Sequence, residues 1–268
     1  MTDEAAPRRP SDLMVRTVVG LGLIAVAAVA LIVGGIVFWL LCTLLGLLMM
    51  AEWADLDRVE GKTKRLALYV FFVPLVIMCP WAAGPTPFAL GLVAAAFFFI
   101  AIITRRGTLA AGVFYVGLPV LALLLLRHQP EGLLFAFWAL ALVWATDIGA
   151  YFAGRAIGGP KLAPAISPNK TWAGLGGGVL TASLFGSAMH YWYGLPLRLT
   201  LATPVLAVLA QGGDLFESWL KRRVGVKDSG NILPGHGGVL DRLDGLVPVA
   251  PVAAFLAVVV PQLYTLLP

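Results

Sequence analysis

The residues best suited to chemistry lie between positions 211 and 245. The first group is Gln211-Gly-Gly-Asp-Leu-Phe-Glu-Ser-Trp-Leu-Lys-Arg-Arg223. In a helix, Asp214, Glu217, Ser218 and Lys221 fall at i, i+3, i+4 and i+7 and share one face. Asp214 follows an apolar run from Pro204 to Ala210, which places it at or just inside a membrane. A carboxylate there is costly unless a cation or a hydrogen-bond donor meets it. The second group is Val226-Lys-Asp-Ser-Gly-Asn-Ile-Leu-Pro-Gly-His-Gly-Gly-Val-Leu-Asp-Arg-Leu-Asp-Gly245. Its glycines, Gly237 and Gly238 among them, let main-chain N–H groups approach a phosphate. Asp228, Asp241 and Asp244 add carboxylates, and Lys227 and Arg242 add positive charge. Carboxylates suit Mg²⁺, which takes one or two of them and completes its shell with water and substrate phosphates. Basic side chains meet the remaining phosphate charge. The two groups therefore describe a magnesium–triphosphate site better than a proton relay, which needs acids but no glycine-rich loop.

Such a site needs a scaffold, and the composition says which. The chain has 268 residues, of which 60% are hydrophobic and 12% charged. A soluble domain is about 45–50% apolar and about 25% charged. Long continuous apolar runs exclude a β-barrel, whose segments are short and alternating. The expected class is all-α, a polytopic transmembrane helix bundle. About nine spans are expected, near 16–34, 36–52, 66–79, 87–103, 109–126, 132–153, 172–190, 199–220 and 246–266. The basic N-terminus followed by an apolar run resembles a signal peptide, but the run continues to about residue 51, too long for one. It reads as two spans joined by a tight turn at Gly34-Gly35.

With the N-terminus in the cytoplasm and nine alternating spans, 17 of the 19 Lys and Arg residues fall on the cytoplasmic side. Only Arg127 and Arg198 fall outside. This bias sets orientation, so the formal charge of +5 reflects topology and not nucleic-acid binding. Residues 1–268 read as a single integral membrane domain, with N-terminal helices over 1–130 and a catalytic region over 131–268. Two cytoplasmic loops, 154–171 and 221–245, hold nearly all the chemically capable residues. Cys42 and Cys79 lack metal-ligand spacing and read as packing residues.

The stretch from Ser218 through Lys221-Arg222, Lys227-Asp228, Pro234, His236-Gly237-Gly238 and Asp241-Arg242 to Asp244 closely resembles the signature of the phosphatidate cytidylyltransferases, or CDP-diacylglycerol synthases. The match spans about 27 residues. Asp147-Ile-Gly-Ala-Tyr-Phe-Ala-Gly-Arg155 resembles the family's upstream acidic motif. Ser167-Pro-Asn-Lys-Thr-Trp172 resembles its Ser-Pro-x-Lys-Thr motif, with Asn169 where Lys is usual. The N-terminal half matches only as apolar spans. The resemblance implies attack by the phosphate of phosphatidate on the α-phosphorus of CTP, giving CDP-diacylglycerol and pyrophosphate at an inner-membrane site facing the cytoplasm. It also implies Mg²⁺, with a second, monovalent cation such as K⁺. The metal ligands it implies are Asp214 and Asp241, with Asp244 and Asp147; Asp228 and Lys227 join the catalytic set. Ser167, Lys170, Thr171, Ser218, Lys221, Arg222, His236, Gly237, Gly238 and Arg242 are expected to bind substrate. The expected partners are CTP, phosphatidate and membrane lipids, with no nucleic acid; a homodimer is left open.

The chemistry agrees with this composition. A phosphate monoester is largely ionised at neutral pH and needs charge neutralisation more than a strong base. Two other readings stay open. A CTP-dependent lipid kinase of polyprenol type would also need metals and phosphate binders in a membrane. An ion-coupled transporter would use Asp147, Asp214 and Glu217 at depth, but predicts acids spread through the spans. Weaker signals are the glycines at 174 and 176–178, which suit close helix packing, and the bases at 58, 62, 64 and 65, which suit anionic head groups.

Overall fold

The computed structural model describes residues 12–230, 232 and 237–266. Among these the order is α1 (Asp12–Val33), α2 (Gly35–Leu56), α3 (Gly61–Ile77), α4 (Pro87–Thr104), α5 (Gly107–Arg127) and α6 (Gly132–Ile157). A hairpin of β1 (Lys161–Ala163) and β2 (Ser167–Thr171) follows, then α7 (Trp172–Tyr193), α8 (Leu197–Val224) and the short α9 (Leu240–Leu243). The last helix comprises α10 (Leu246–Ala254), a π-helical turn (Phe255–Val259) and α11 (Val260–Leu266). The class is all-α and polytopic, as expected, and each of the nine apolar segments is helical. Six helices among the described residues are long and apolar enough to cross a membrane: α2, α4, α5, α6, α8 and the helix from Leu246 to Leu263. The apolar part of α1 is shorter, Val19–Val33. α3 has 17 residues, and glycines dilute the hydropathy of α7.

The turn at Gly34-Gly35 is tight, with φ of 68° and 48°, a region open to glycine. Arg127 fixes it. Its Nε donates to Leu31 O at 2.8 Å and its Nη2 to Ile32 O at 3.0 Å, and a Cβ on Gly34 would strike the guanidinium. Arg198 does similar work beside the π-helical turn, donating to Leu256 O and Ala257 O at 3.3 and 3.4 Å. The two bases outside the cytoplasmic set thus satisfy carbonyls that helix geometry leaves without a partner.

One apolar core joins α2 through α6, α8 and α10, with Phe71, Leu75, Met50, Trp138 and Leu206 fully buried. Outside it, Phe98, Ile102, Leu184 and Leu201 face outward, as lipid-facing side chains do. α6 and α7 pack most closely. A Cβ on Gly149 would come within 2.6 Å of Gly177 O, and one on Gly178 within 2.8 Å of Thr146 O. The expected small-residue packing is therefore present, and it brings the Asp147 end of α6 and the hairpin alongside α8.

Candidate functional site

α8 stays helical from Leu197 to Val224, so Gln211, Asp214, Glu217, Ser218 and Lys221 lie along one side of it. The acids around them divide into two sets.

The first set surrounds Lys170. The hairpin, capped where Trp172 N donates to Pro160 O at 3.1 Å, carries Lys170 toward α8. There its ammonium lies 2.5 Å from Asp214 Oδ2 and donates to Gln211 Oε1 at 2.8 Å. Gln211 Nε2 in turn donates to Asp147 Oδ1 at 3.2 Å. Ser218 Oγ reaches Asp214 Oδ1 at 3.4 Å. Asp244, following α9, belongs to this set electrostatically. Burial first, and then the charges of Asp214 and Asp147, push its carboxyl up to about 7, against the N–H of Gly245 (2.7 Å) and Lys170, which lower it. Three carboxylates therefore share one lysine.

The second set surrounds Asp241. Lys221 Nζ lies 2.5 Å from Asp241 Oδ1 and 2.6 Å from Glu217 Oε2. Asp241 Oδ2 accepts from Ser229 N at 2.9 Å, Ser229 Oγ at 3.0 Å and Gly238 N at 2.8 Å. Burial alone would raise the Asp241 carboxyl, but Lys221 and the Gly238 and Ser229 donors outweigh it and hold it below the ordinary range. A third acid, Glu52 from α2, accepts from Val239 N, Leu240 N and the Ser229 hydroxyl.

The structure thus brings together Asp147, Asp214, Asp244, Lys170 and Ser218 in one set, and Asp241, Lys221 and Gly238 in the other. Gly237 has φ 81°, and a Cβ there would lie 3.0 Å from Asp241 Oδ2. Thr171 is buried and caps α7, accepting from Gly174 N at 3.0 Å. Ser167 opens β2, half-buried. Lys227, Asp228, Arg222 and Arg242 are exposed around the loop. His236 lies outside the described residues. Sequence reasoning assigned no role to Gln211 or Glu52, and gave Glu217 one only in the transporter reading. The signal for Glu52 was an acid at the end of an apolar run, which counts as a functional candidate when the helix carries it into the membrane.

Among the described residues no three His, Cys, Asp or Glu side chains converge tightly enough to ligate one ion. Mg²⁺ needs only one or two carboxylates, with water and phosphate oxygens completing its shell. The surplus negative charge of Asp147, Asp214 and Asp244 over Lys170 is the donor chemistry that fits it.

The family model described as "Cytidylyltransferase family" matches residues 14–260. The chain is also similar to three bacterial proteins named phosphatidate cytidylyltransferase. One, from Brucella suis biovar 1, is 44% identical over 232 residues, covering 81% of this chain and 83% of the relative. One from Staphylococcus epidermidis is 35% identical over 266 residues, covering 92% and 99%. One from Bacillus subtilis (strain 168) is 33% identical over 262 residues, covering 91% and 97%.

Proposed function

The chain belongs to the cytidylyltransferase family, and we propose that it works as its relatives' name says: it transfers the cytidylyl group of CTP to phosphatidate, giving CDP-diacylglycerol and pyrophosphate. The carrying observation is the cluster of carboxylates around Lys170, which begins on α8 one residue along the chain from an apolar cavity. A cavity of about 680 Å³ is lined by Trp53, Phe114, Tyr115, Gly213, Phe216 and Pro248, among others. Gly213, which lines it, immediately precedes Asp214. A cavity of that character suits acyl chains, and the adjoining charges suit phosphates. The reaction needs both at one place.

A phosphate oxygen of phosphatidate forms the new bond to the α-phosphorus of CTP. The bond from that phosphorus to the bridging oxygen of the β-phosphate breaks, and pyrophosphate leaves with the electron pair. No proton transfer is required, because the nucleophile is already an anion. Asp214 and Asp244, with Asp147 beside them, would hold Mg²⁺, which when bound offsets the charge of the triphosphate and of the leaving pyrophosphate. Lys170 approaches from the hairpin and supplies positive charge on the same side. Asp241 joins the metal set only when Lys221 exchanges its carboxylate for a substrate phosphate; until then both of its oxygens are filled. Lys227, Arg222 and Arg242 border the loop, where exposed bases can gather an incoming nucleotide. We place the site on the cytoplasmic side of a bacterial inner membrane, in line with the basic loops.

The test uses purified protein in detergent with phosphatidate and CTP labelled at the α-phosphorus. Label should enter the lipid and pyrophosphate should be released. Chelation of divalent cations, or Asp214→Asn, should abolish both. Formation of CDP with a phosphorylated lipid alcohol, and no labelled lipid, would replace this reading with a lipid kinase.

A further inference from the structure

Glu52 has no part in the reaction described above. It lies near the cytoplasmic end of α2, within a helix apolar enough to span, and is 1% exposed. A carboxylate buried there is strongly unfavourable unless donors meet it. Among the described residues, the three donors that meet it come from one place, the signature loop. Val239 N donates to Oε1 at 2.8 Å, Leu240 N to Oε2 at 2.8 Å, and the Ser229 hydroxyl lies 3.2 Å from Oε2.

The backbone presses on the same carboxylate. A Cβ on Gly230 would come within 2.7 Å of Glu52 Oε1, and one on Gly238 within 2.7 Å of Oε2. Both ends of the loop therefore close around Glu52. The residues it holds also hold Asp241: Ser229 and Gly238 donate to Asp241 Oδ2. The one hydroxyl proton of Ser229 lies between the two carboxylates. Main-chain N–H groups fill both Glu52 oxygens, which leaves it no role as a proton donor or relay.

We propose that Glu52 is a positioning residue: an acceptor in α2 around which the glycine-rich loop closes, setting Asp241 and, through it, Lys221 for the transfer step. This rests on the cytidylyl-transfer reading. The acceptor must be a carboxylate. Glutamine in its place turns an NH₂ toward one of two adjacent main-chain donors, and one of them loses its partner.

The experiment compares wild type, Glu52→Gln and Ser229→Ala in detergent, by steady-state kinetics and by amide hydrogen exchange. For Glu52→Gln, kcat should fall about tenfold or more, the effect of losing a charge-assisted bond at a positioned group. The KM for CTP should change by less than about threefold, and exchange should rise in peptides covering 237–245 while α5 and α6 keep wild-type protection. Ser229→Ala should move the same quantities the same way by a smaller factor. A Glu52→Gln kcat within about twofold of wild type overturns the proposal. So does a loss of activity with exchange raised throughout the chain, which marks a general support of the fold. If Glu52→Gln yields no folded protein, Ser229→Ala decides: unchanged kcat and loop exchange overturn the proposal, and a local rise with lower kcat sustains it. If wild type itself makes no CDP-diacylglycerol, the cytidylyl reading fails separately, and the exchange measurement alone tests whether Glu52 organises the loop.

Discussion

Lys221 sits between two carboxylates that water barely reaches. Its side chain is 12% exposed, that of Glu217 1% and that of Asp241 7%. Replacing it by methionine keeps the length of the side chain and removes the charge. Asp241 would still have its three donors on Oδ2. Glu217 would not be compensated. Its oxygens lie within ion-pair distance of Lys221 but make no well-aligned hydrogen bond of their own, and among the described residues the lysine is its one ion-pair partner. Removing one partner of a buried pair costs about 3–5 kcal/mol, because the remaining charge stays desolvated. Lys221→Met should therefore lower the unfolding free energy by up to that amount, most of it located at Glu217, with proton uptake by that carboxylate setting the limit. The location can be tested. In Lys221→Met/Glu217→Gln the uncompensated charge is gone, and at least half of the loss should return, a coupling that a double-mutant cycle isolates. Tryptophan fluorescence during unfolding in mixed SDS–detergent micelles, with eight tryptophans as reporters, measures both. A loss below about 1 kcal/mol, the value ordinary for an exposed pair, would refute the reasoning. So would a double variant no more stable than the single one.

Two further predictions concern the first acid set and the scaffold that carries it. Asp244 is pushed up to about 7 by burial, with Asp214 and Asp147 adding to the shift, so below that pH it holds a proton that a divalent cation must displace. The Mg²⁺ concentration for half-activation should rise as pH falls from about 7 toward about 6, by up to about tenfold per unit, and level off above pH 7; Asp244→Asn should flatten the profile, and a wild-type requirement independent of pH would count against Asp244 as a ligand. Gly177→Val should cost about 1–3 kcal/mol through overpacking, because its Cβ meets Ala153 and comes within 2.9 Å of Gly149 O; thermal unfolding in detergent checks it, and an unchanged midpoint would show that α6 and α7 can part freely.

The helices were legible because each span is marked by many residues at once. Hydropathy summed over some twenty positions survives a proline such as Pro74 or Pro119 inside the run. The hairpin was not legible. Ser167-Pro-Asn-Lys-Thr171 carries a proline and no apolar alternation, and proline argues against a strand. The pairing Lys161↔Thr171 and Ala163↔Ser167 holds in a two-stranded sheet, where Pro168 takes an edge position. The residue types of the site were visible, but their partners were not. Lys221 has the charge of a phosphate binder, yet it is engaged by Glu217 and Asp241. Thr171 has a suitable hydroxyl, and α7 takes it as a cap. Glu52 stands where an apolar run ends, so it passes for a span boundary. Its partners Val239 and Leu240 are 187 and 188 positions away, and no local pattern spans that distance.

The spacing of acids along the chain also conceals how they are used. Asp241 and Asp244 are three residues apart, one inside α9 and the other just after it, yet they serve different networks, and α8 decides which. Its Gln211–Asp214 turn faces Lys170 and Asp147, while its Glu217–Lys221 turn faces Asp241. The first network is open: three carboxylates against one lysine leave negative charge that a cation can neutralise and a polyphosphate can then approach. The second is closed: Asp241 and Glu52 have both oxygens occupied by donors, and the glycines between them leave no room for a side chain. An open set can exchange its partners for metal and substrate without disturbing the backbone. In the closed set only the lysine can change partner, so the rest of it serves to fix the loop. Within the second set, Lys221 and Asp241 make the contact where a substrate phosphate could compete with a carboxylate for the lysine. Substitutions in the first set should therefore change the dependence on metal and nucleotide. Those in the second should change the order of the loop and the rate, with substrate requirements little altered.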